Sequence, residues 1–148
     1  MMKLPFLKTT QPAPGEAVAV GPAPIGATVV LMVDDEPAQR QLFAFALRRE
    51  GYYVLEACNG AEALDIAGIA GRVDLVVTDV MMPVMKGPEL AARIRERLPD
   101  VEIIFVSGYL VTEELGPNAH VLQKPFVRQD LVKHVFDIIG APRPSGLA

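Results

Sequence analysis

An α/β fold, built on a parallel sheet wound with helices on both faces, follows from three features of the sequence. Short apolar runs rich in β-branched residues alternate with longer stretches whose apolar residues recur at helical spacing. The short runs lack the polar alternation of a half-exposed strand, so both of their faces are buried. Five such runs occur, and four of them end in a side chain able to do chemistry. Open parallel sheets bind ligands beyond the carboxyl ends of their strands, so those ends are where a site belongs.

The elements follow in order. Residues 1–26 are dominated by Pro, Ala and Gly, bury little, and read as a flexible tail. Thr28 to Val33 is the first strand and delivers Asp34 and Asp35. Pro37 suits the first turn of a helix, along which Ala38, Leu42, Phe45 and Ala46 recur at helical spacing up to Gly51. Tyr52 to Ala57 is the second strand, closed by Asn59-Gly60. The second helix carries Ala63, Ile66, Ala67 and Ala70 on one face and stops at Gly71. Val73 to Asp79 is the third strand; Gly87-Pro88 opens a third helix striped by Leu90, Ile94 and Leu98. The fourth strand, Glu102 to Val106, delivers Ser107. The segment from Ser107 to Lys124 holds a fourth helix that is short or missing, with Gly116-Pro117-Asn118 breaking it. His120 to Gln123 is the fifth strand and ends at Lys124-Pro125. Leu131, Val135, Ile138 and Ile139 mark a final amphipathic helix, stopped by Gly140 and Pro142.

Composition narrows the function classes. At 148 residues and 51% apolar, the chain is long enough for one domain with a proper core. The 14 basic against 18 acidic residues give a net charge of −4, which weighs against a direct nucleic-acid surface. Arg93, Arg95 and Arg97, interrupted by Glu96, read as a solvated helix face. Cys58 is the sole cysteine, so neither a disulfide framework nor a paired thiolate metal motif is present. A reduced, cytoplasmic setting is expected, with Cys58 a small buried hydrophobe. No apolar run approaches a membrane span, and Met1 to Phe6 lacks the continuous apolar segment of a secretion signal.

The strand ends carry the chemistry. Asp34, Asp35 and Asp79 crowd one rim and repel one another unless a cation joins them. Magnesium suits a few carboxylates with waters and phosphate oxygens, whereas zinc and iron lack their thiolates or histidine spacing here. Lys124 and Ser107 add a positive charge and a hydroxyl donor. Together these groups equip the rim for a phosphoryl group in transfer, with Asp79 as its acceptor.

Asp34-Asp35, Asp79 with Met81-Met82-Pro83 and Gly87, Ser107-Gly108, and Lys124-Pro125-Phe126 together resemble the response-regulator receiver domain of two-component signalling. The resemblance covers roughly residues 28 to 140, which sets a receiver at 27–141 with tails at 1–26 and 142–148. It implies a flavodoxin-like, doubly wound five-stranded sheet in the order 2-1-3-4-5. It also implies that Asp79 takes phosphate from a histidine on a partner kinase or phosphotransfer protein, and that a downstream protein reads the result. Asp35 would hold Mg2+ directly, Asp34 through water, and the backbone carbonyl of Met81 would be a further ligand. Lys124 would pair with the phosphate, Ser107 would hydrogen-bond it, and the Lys124–Pro125 bond would be cis. Such a protein is a regulator rather than an enzyme, acting on itself alone, and a phosphorylation-dependent homodimer is compatible with it. Two positions depart from the pattern: Val121 stands where Tyr or Phe is common, with Tyr109 a partial substitute, and Lys86 stands where an acid is common.

Two alternatives stay open on the residues. A docking module that works without phosphorylation is compatible with Val121 and the short fourth-helix region. A haloacid-dehalogenase-like hydrolase shares the aspartyl nucleophile, magnesium and lysine, but usually carries a second aspartate where Met81 stands, and a cap domain. Flavodoxin-like electron transfer is disfavoured, because Asp34-Asp35-Glu36 would repel a flavin phosphate.

Overall fold

The computed structural model describes residues 21–108, 115 and 119–143. The strands are β1 (Val29–Val33), β2 (Tyr53–Ala57), β3 (Leu75–Asp79), β4 (Glu102–Ser107) and β5 (His120–Gln123). Among the described residues, the helices that can be bounded are α1 (Pro37–Glu50), α2 (Gly60–Ala70), α3 (Gly87–Arg97) and α4 (Arg128–Ile139). All strand pairs are parallel, in the order β2-β1-β3-β4-β5, which is the expected flavodoxin-like order. The region assigned to a short or missing helix between β4 and β5, with Tyr109, lies outside the described residues apart from Gly108, Leu115 and Ala119.

Alternation along the strands divides the core into two layers. Val29, Leu31 and Val33 face α2 and α3 through Ala63, Ile66, Leu90 and Ile94. Val30 and Met32 face α1 and α4 through Phe43, Leu47, Leu131 and Val135. Each fully buried side chain of this size contributes about 1.5–3 kcal/mol, so the central strand β1, buried along its whole length, anchors the fold. Its carboxyl end is therefore a rigid place from which to present Asp34.

Two packing expectations are corrected. On the predicted stripe of α1, Ala38 and Leu42 are exposed, Leu42 by 45%, and Phe45 is half-buried, while Phe43, Ala44, Ala46 and Leu47 are buried. The run Leu42-Phe43-Ala44-Phe45-Ala46-Leu47 is apolar on more than one face, so spacing alone does not select the inward one. Cys58 is exposed rather than buried. Strand β2 has ended at Ala57, and Cys58-Asn59 form the turn that caps α2. The Asn59 side chain accepts from the Glu62 amide at 2.8 Å, and the Glu62 carboxylate accepts from the Cys58 amide.

The base of the sheet, where the strands begin, is fastened by polar groups. Asp74 Oδ2 accepts from the Val29 amide at 2.8 Å and from Arg143 at 3.3 Å. The Arg143 amide donates to Thr28 Oγ1 at 2.8 Å, and Arg72 donates to the carbonyls of Ala27 and Pro24. The Ala23 amide bonds the Ala70 carbonyl, and the Tyr52 hydroxyl donates to the Gly140 carbonyl at 2.7 Å.

Candidate functional site

The opposite end of the sheet is acidic. Asp34 follows β1, and its amide donates to the Ala57 carbonyl at 3.1 Å, so the chain end is still held by β2. The side chain is buried; Oδ1 accepts from the Glu36 amide at 2.9 Å and Oδ2 from Gln39 Nε2 at 2.7 Å. Asp35 beside it is exposed. Asp79 closes β3 and is buried, with its backbone carbonyl accepting from Thr78 Oγ1. Oxygens of Asp34, Asp35 and Asp79 lie within 4.8 Å of one another.

Lys124 reaches this cluster because β5 pairs in parallel with β4. Its amide donates to the Ser107 carbonyl at 2.8 Å, and its Nζ stands 3.2 Å from Asp79 Oδ1. The Lys124–Pro125 bond is cis, and Phe126 beyond it stacks on Phe43 of α1 at 5.2 Å. Ser107, buried at the end of β4, faces the same space. Met81 has an exposed side chain and borders it too. All six residues expected from the sequence (Asp34, Asp35, Asp79, Met81, Ser107 and Lys124) line one recess of about 280 Å³.

Burial pushes the Asp79 carboxyl up to about 6 from its ordinary value of 3.8, and the neighbouring Asp34 charge pushes the same way. The Lys124 amine opposes both and only partly offsets them. One lysine thus leaves the cluster short of positive charge. Its donors are all carboxylate oxygens, without thiol or imidazole, which is the set a hard divalent cation takes.

The loop after Asp79 is held tightly. The Gly87 amide donates to the Val80 carbonyl at 2.9 Å, and a Cβ on Gly87 would meet the Asp79 carbonyl and, at 3.1 Å, Val80 Cα. Only glycine lets α3 start this close to the end of β3. Between them the Met85 amide bonds the Pro83 carbonyl at 2.8 Å, a three-residue turn that holds Val84 at φ 74.

Several supporting residues escape a reading based on strand ends. Gln39 and Arg40 lie on the first turns of α1, five and six residues beyond Asp34. Arg40 Nη1 donates to the Asp34 carbonyl at 2.9 Å, and its Nε stands 3.2 Å from Glu56 Oε1. Arg48 pairs with the other oxygen of Glu56 at 3.0 Å and donates to the Val54 carbonyl. The available signal was Glu56 itself, a charge inside the apolar run of β2.

Comparisons with known proteins identify the family. A family model described as the response regulator receiver domain matches residues 30–136, and the chain belongs to that family. It is a receiver domain of two-component phosphorelay signalling, homologous to the receiver of CckA and to CpdR. The sensor kinase CckA of Brucella abortus (strain 2308) is 49% identical over 120 residues, covering 77% of this chain and 13% of that protein. The response regulator receiver protein CpdR of the same organism is 36% identical over 112 residues, covering 72% of this chain and 92% of that protein. The chain thus spans nearly all of one relative and a small part of the other. Among solved structures, the receiver domain of a hybrid histidine kinase CckA matches with a TM-score of 0.66 and 38% identity, over 75% of this chain and 98% of that one. The response regulator TrrA from Thermotoga maritima, solved in complex with Mg2+-BeF, matches with a TM-score of 0.64 and 34% identity, over 76% of this chain and 99% of that one. Receiver domains are regulators that interact with histidine kinases or phosphotransfer proteins. Among the described residues, no helix is long and apolar enough to cross a membrane.

Proposed function

We propose that residues 27–141 form a phosphorylatable receiver in which Asp79 accepts a phosphoryl group from a histidine of a partner kinase or phosphotransfer protein. The observation that carries this reading is the approach of Lys124 Nζ to Asp79 Oδ1 at 3.2 Å beside a cluster of three carboxylates. Asp34, Asp35, Asp79 and the Met81 carbonyl would hold Mg2+, Asp35 directly and Asp34 through water. The ion would supply charge to the outer oxygens of the transferring group.

The chain's own residues do the rest. An oxygen of the Asp79 carboxylate attacks phosphorus as the phosphorus–nitrogen bond to the donor histidine breaks, and the histidine nitrogen keeps that electron pair. Burial strips water from the attacking carboxylate, while Lys124 is placed to pair with the phosphoryl oxygens as they arrive. The Ser107 hydroxyl donates a hydrogen bond to the same group. The gain of charge and its new partners then alter the surface that a downstream protein reads. The TrrA complex with Mg2+-BeF, and side-chain donors here that are all carboxylates, support the magnesium assignment. Incubation with Mg2+ and a small-molecule phosphodonor is expected to add one phosphoryl group, read by intact-protein mass spectrometry and lost in Asp79→Asn. An unmodified mass under those conditions would favour the phosphorylation-independent docking module instead.

A further inference from the structure

Glu56 is the one charged residue of β2, and its carboxylate is only 20% exposed. A charge placed there must be paired, and Glu56 is paired twice. Oε2 meets Arg48 at 3.0 Å and Oε1 meets Arg40 at 3.2 Å. Arg48 is itself buried and fixed to the Val54 carbonyl, so the glutamate is anchored from the core side. Arg40 is held from the other side, and it also touches the residue that opens the acidic cluster.

The contact Arg40 makes there is unexpected. Three carboxylates stand within 4.8 Å of one another at this rim, and a guanidinium fork is well shaped to bridge them. Arg40 instead donates to the backbone carbonyl of Asp34 at 2.9 Å. Among the described residues it makes no ion pair with Asp34, Asp35 or Asp79; its pair is with Glu56. The buried Asp34 carboxylate is left to the Glu36 amide and to Gln39, two neutral donors that orient its oxygens without neutralising them.

We propose that Glu56 is a positioning residue for the cation site: it tethers Arg40 on the Asp34 carbonyl and keeps the guanidinium off the carboxylates. This rests on the reading of those carboxylates as magnesium ligands. Without the tether, Arg40 turns toward the acids and competes with the ion as an internal counter-charge. A residue that acts only on folding would lower stability without this specific competition.

Isothermal titration of Mg2+ into the full chain distinguishes the possibilities, with unmodified protein, Asp35→Ala, Glu56→Gln, and the double variant Glu56→Gln/Arg40→Met compared. Glu56→Gln is expected to weaken Mg2+ binding about tenfold, the lower end of what removing a residue that orients a ligand costs. The double variant is expected to regain affinity to within about threefold of unmodified protein, because the competitor is gone. Melting temperatures taken without metal should show both variants destabilised, so recovery of affinity without recovery of stability marks the positioning role. Affinity of Glu56→Gln equal to that of unmodified protein, or a double variant as weak as Glu56→Gln, would overturn the inference. Should Glu56→Gln not fold, Glu56→Asp keeps the charge opposite Arg48; a loss of affinity supports the tether and unchanged affinity overturns it. Binding abolished in Asp35→Ala but unchanged in Glu56→Gln removes this inference alone. No binding by unmodified protein removes the cation reading and this inference with it.

Discussion

The amine of Lys124 stands 3.2 Å from Oδ1 of Asp79, yet the aspartate still titrates high, at about 6. Burial and the adjacent Asp34 outweigh the lysine. A carboxylate kept ionised in such a place is costly to the fold and available to an electrophile, which is the condition a nucleophilic acceptor requires.

That cost sets the pH dependence of stability. The folded Asp79 binds its proton more tightly than the unfolded chain does, so its contribution favours folding fully below pH 3.8 and is lost as pH rises through about 6. Asp79→Asn cannot ionise and should be the more stable protein above that range, by on the order of 2–3 kcal/mol without metal. The gap should close as pH falls toward 4. Thermal melts in a chelating buffer across this range check it, and a pH-independent gap would remove the argument.

Magnesium binding should rank the site residues. Asp35→Ala removes a proposed direct ligand, whereas Ser107→Ala removes a hydroxyl proposed to serve the phosphoryl group. The first should weaken Mg2+ affinity at least tenfold and the second by less than about threefold, measured by calorimetric titration. The reverse order would undo the division of roles between the two.

Gly87→Ala probes how closely α3 approaches the end of β3. The new methyl would press on the Asp79 carbonyl and on Val80 Cα, both backbone, so neither can swing aside. A loss of about 1–3 kcal/mol is expected in chemical denaturation, with slower phosphorylation of the folded fraction as Asp79 shifts. A variant as stable as the unmodified chain would show that α3 can retreat.

Val84→Gly addresses the turn beyond the site. A β-branched residue at φ 74 in a three-residue turn is strained, and its side chain is 78% exposed, so little packing is forfeited. The relief should exceed glycine's extra unfolded-state entropy and raise stability by about 1 kcal/mol. A lower melting temperature would mean that the side chain is held by contacts stronger than its exposure suggests.

The fold, and the gathering of polar side chains at one rim, were legible in the sequence for a simple reason. Runs such as Val29 to Val33 are too apolar and too short for anything but a strand buried on both faces, and a charge directly after each run has only the rim to occupy. The sheet order came through the family resemblance, since strand periodicity carries no information about neighbours. What stayed hidden depends on tertiary contact. Gln39 and Arg40 have meaning only once α1 folds back over Asp34, and Glu56 only once β2 lies beside β1. The apolar residues of α1 surround the helix too evenly for spacing to mark the inward face, and Leu42 faces outward. Residue type alone points to a buried Cys58, while its position in a helix-capping turn decides its exposure.

The fastening at the base of the sheet has a practical corollary. Thr28 and Arg143 are joined by a hydrogen bond, so the approach to β1 and the stretch after α4 meet at one shared spot. That spot lies at the starts of the strands, and the acids lie beyond their finishes. A fluorophore attached at Ile25, 84% exposed at this end, would sit at the pole opposite the acids and leave their recess open.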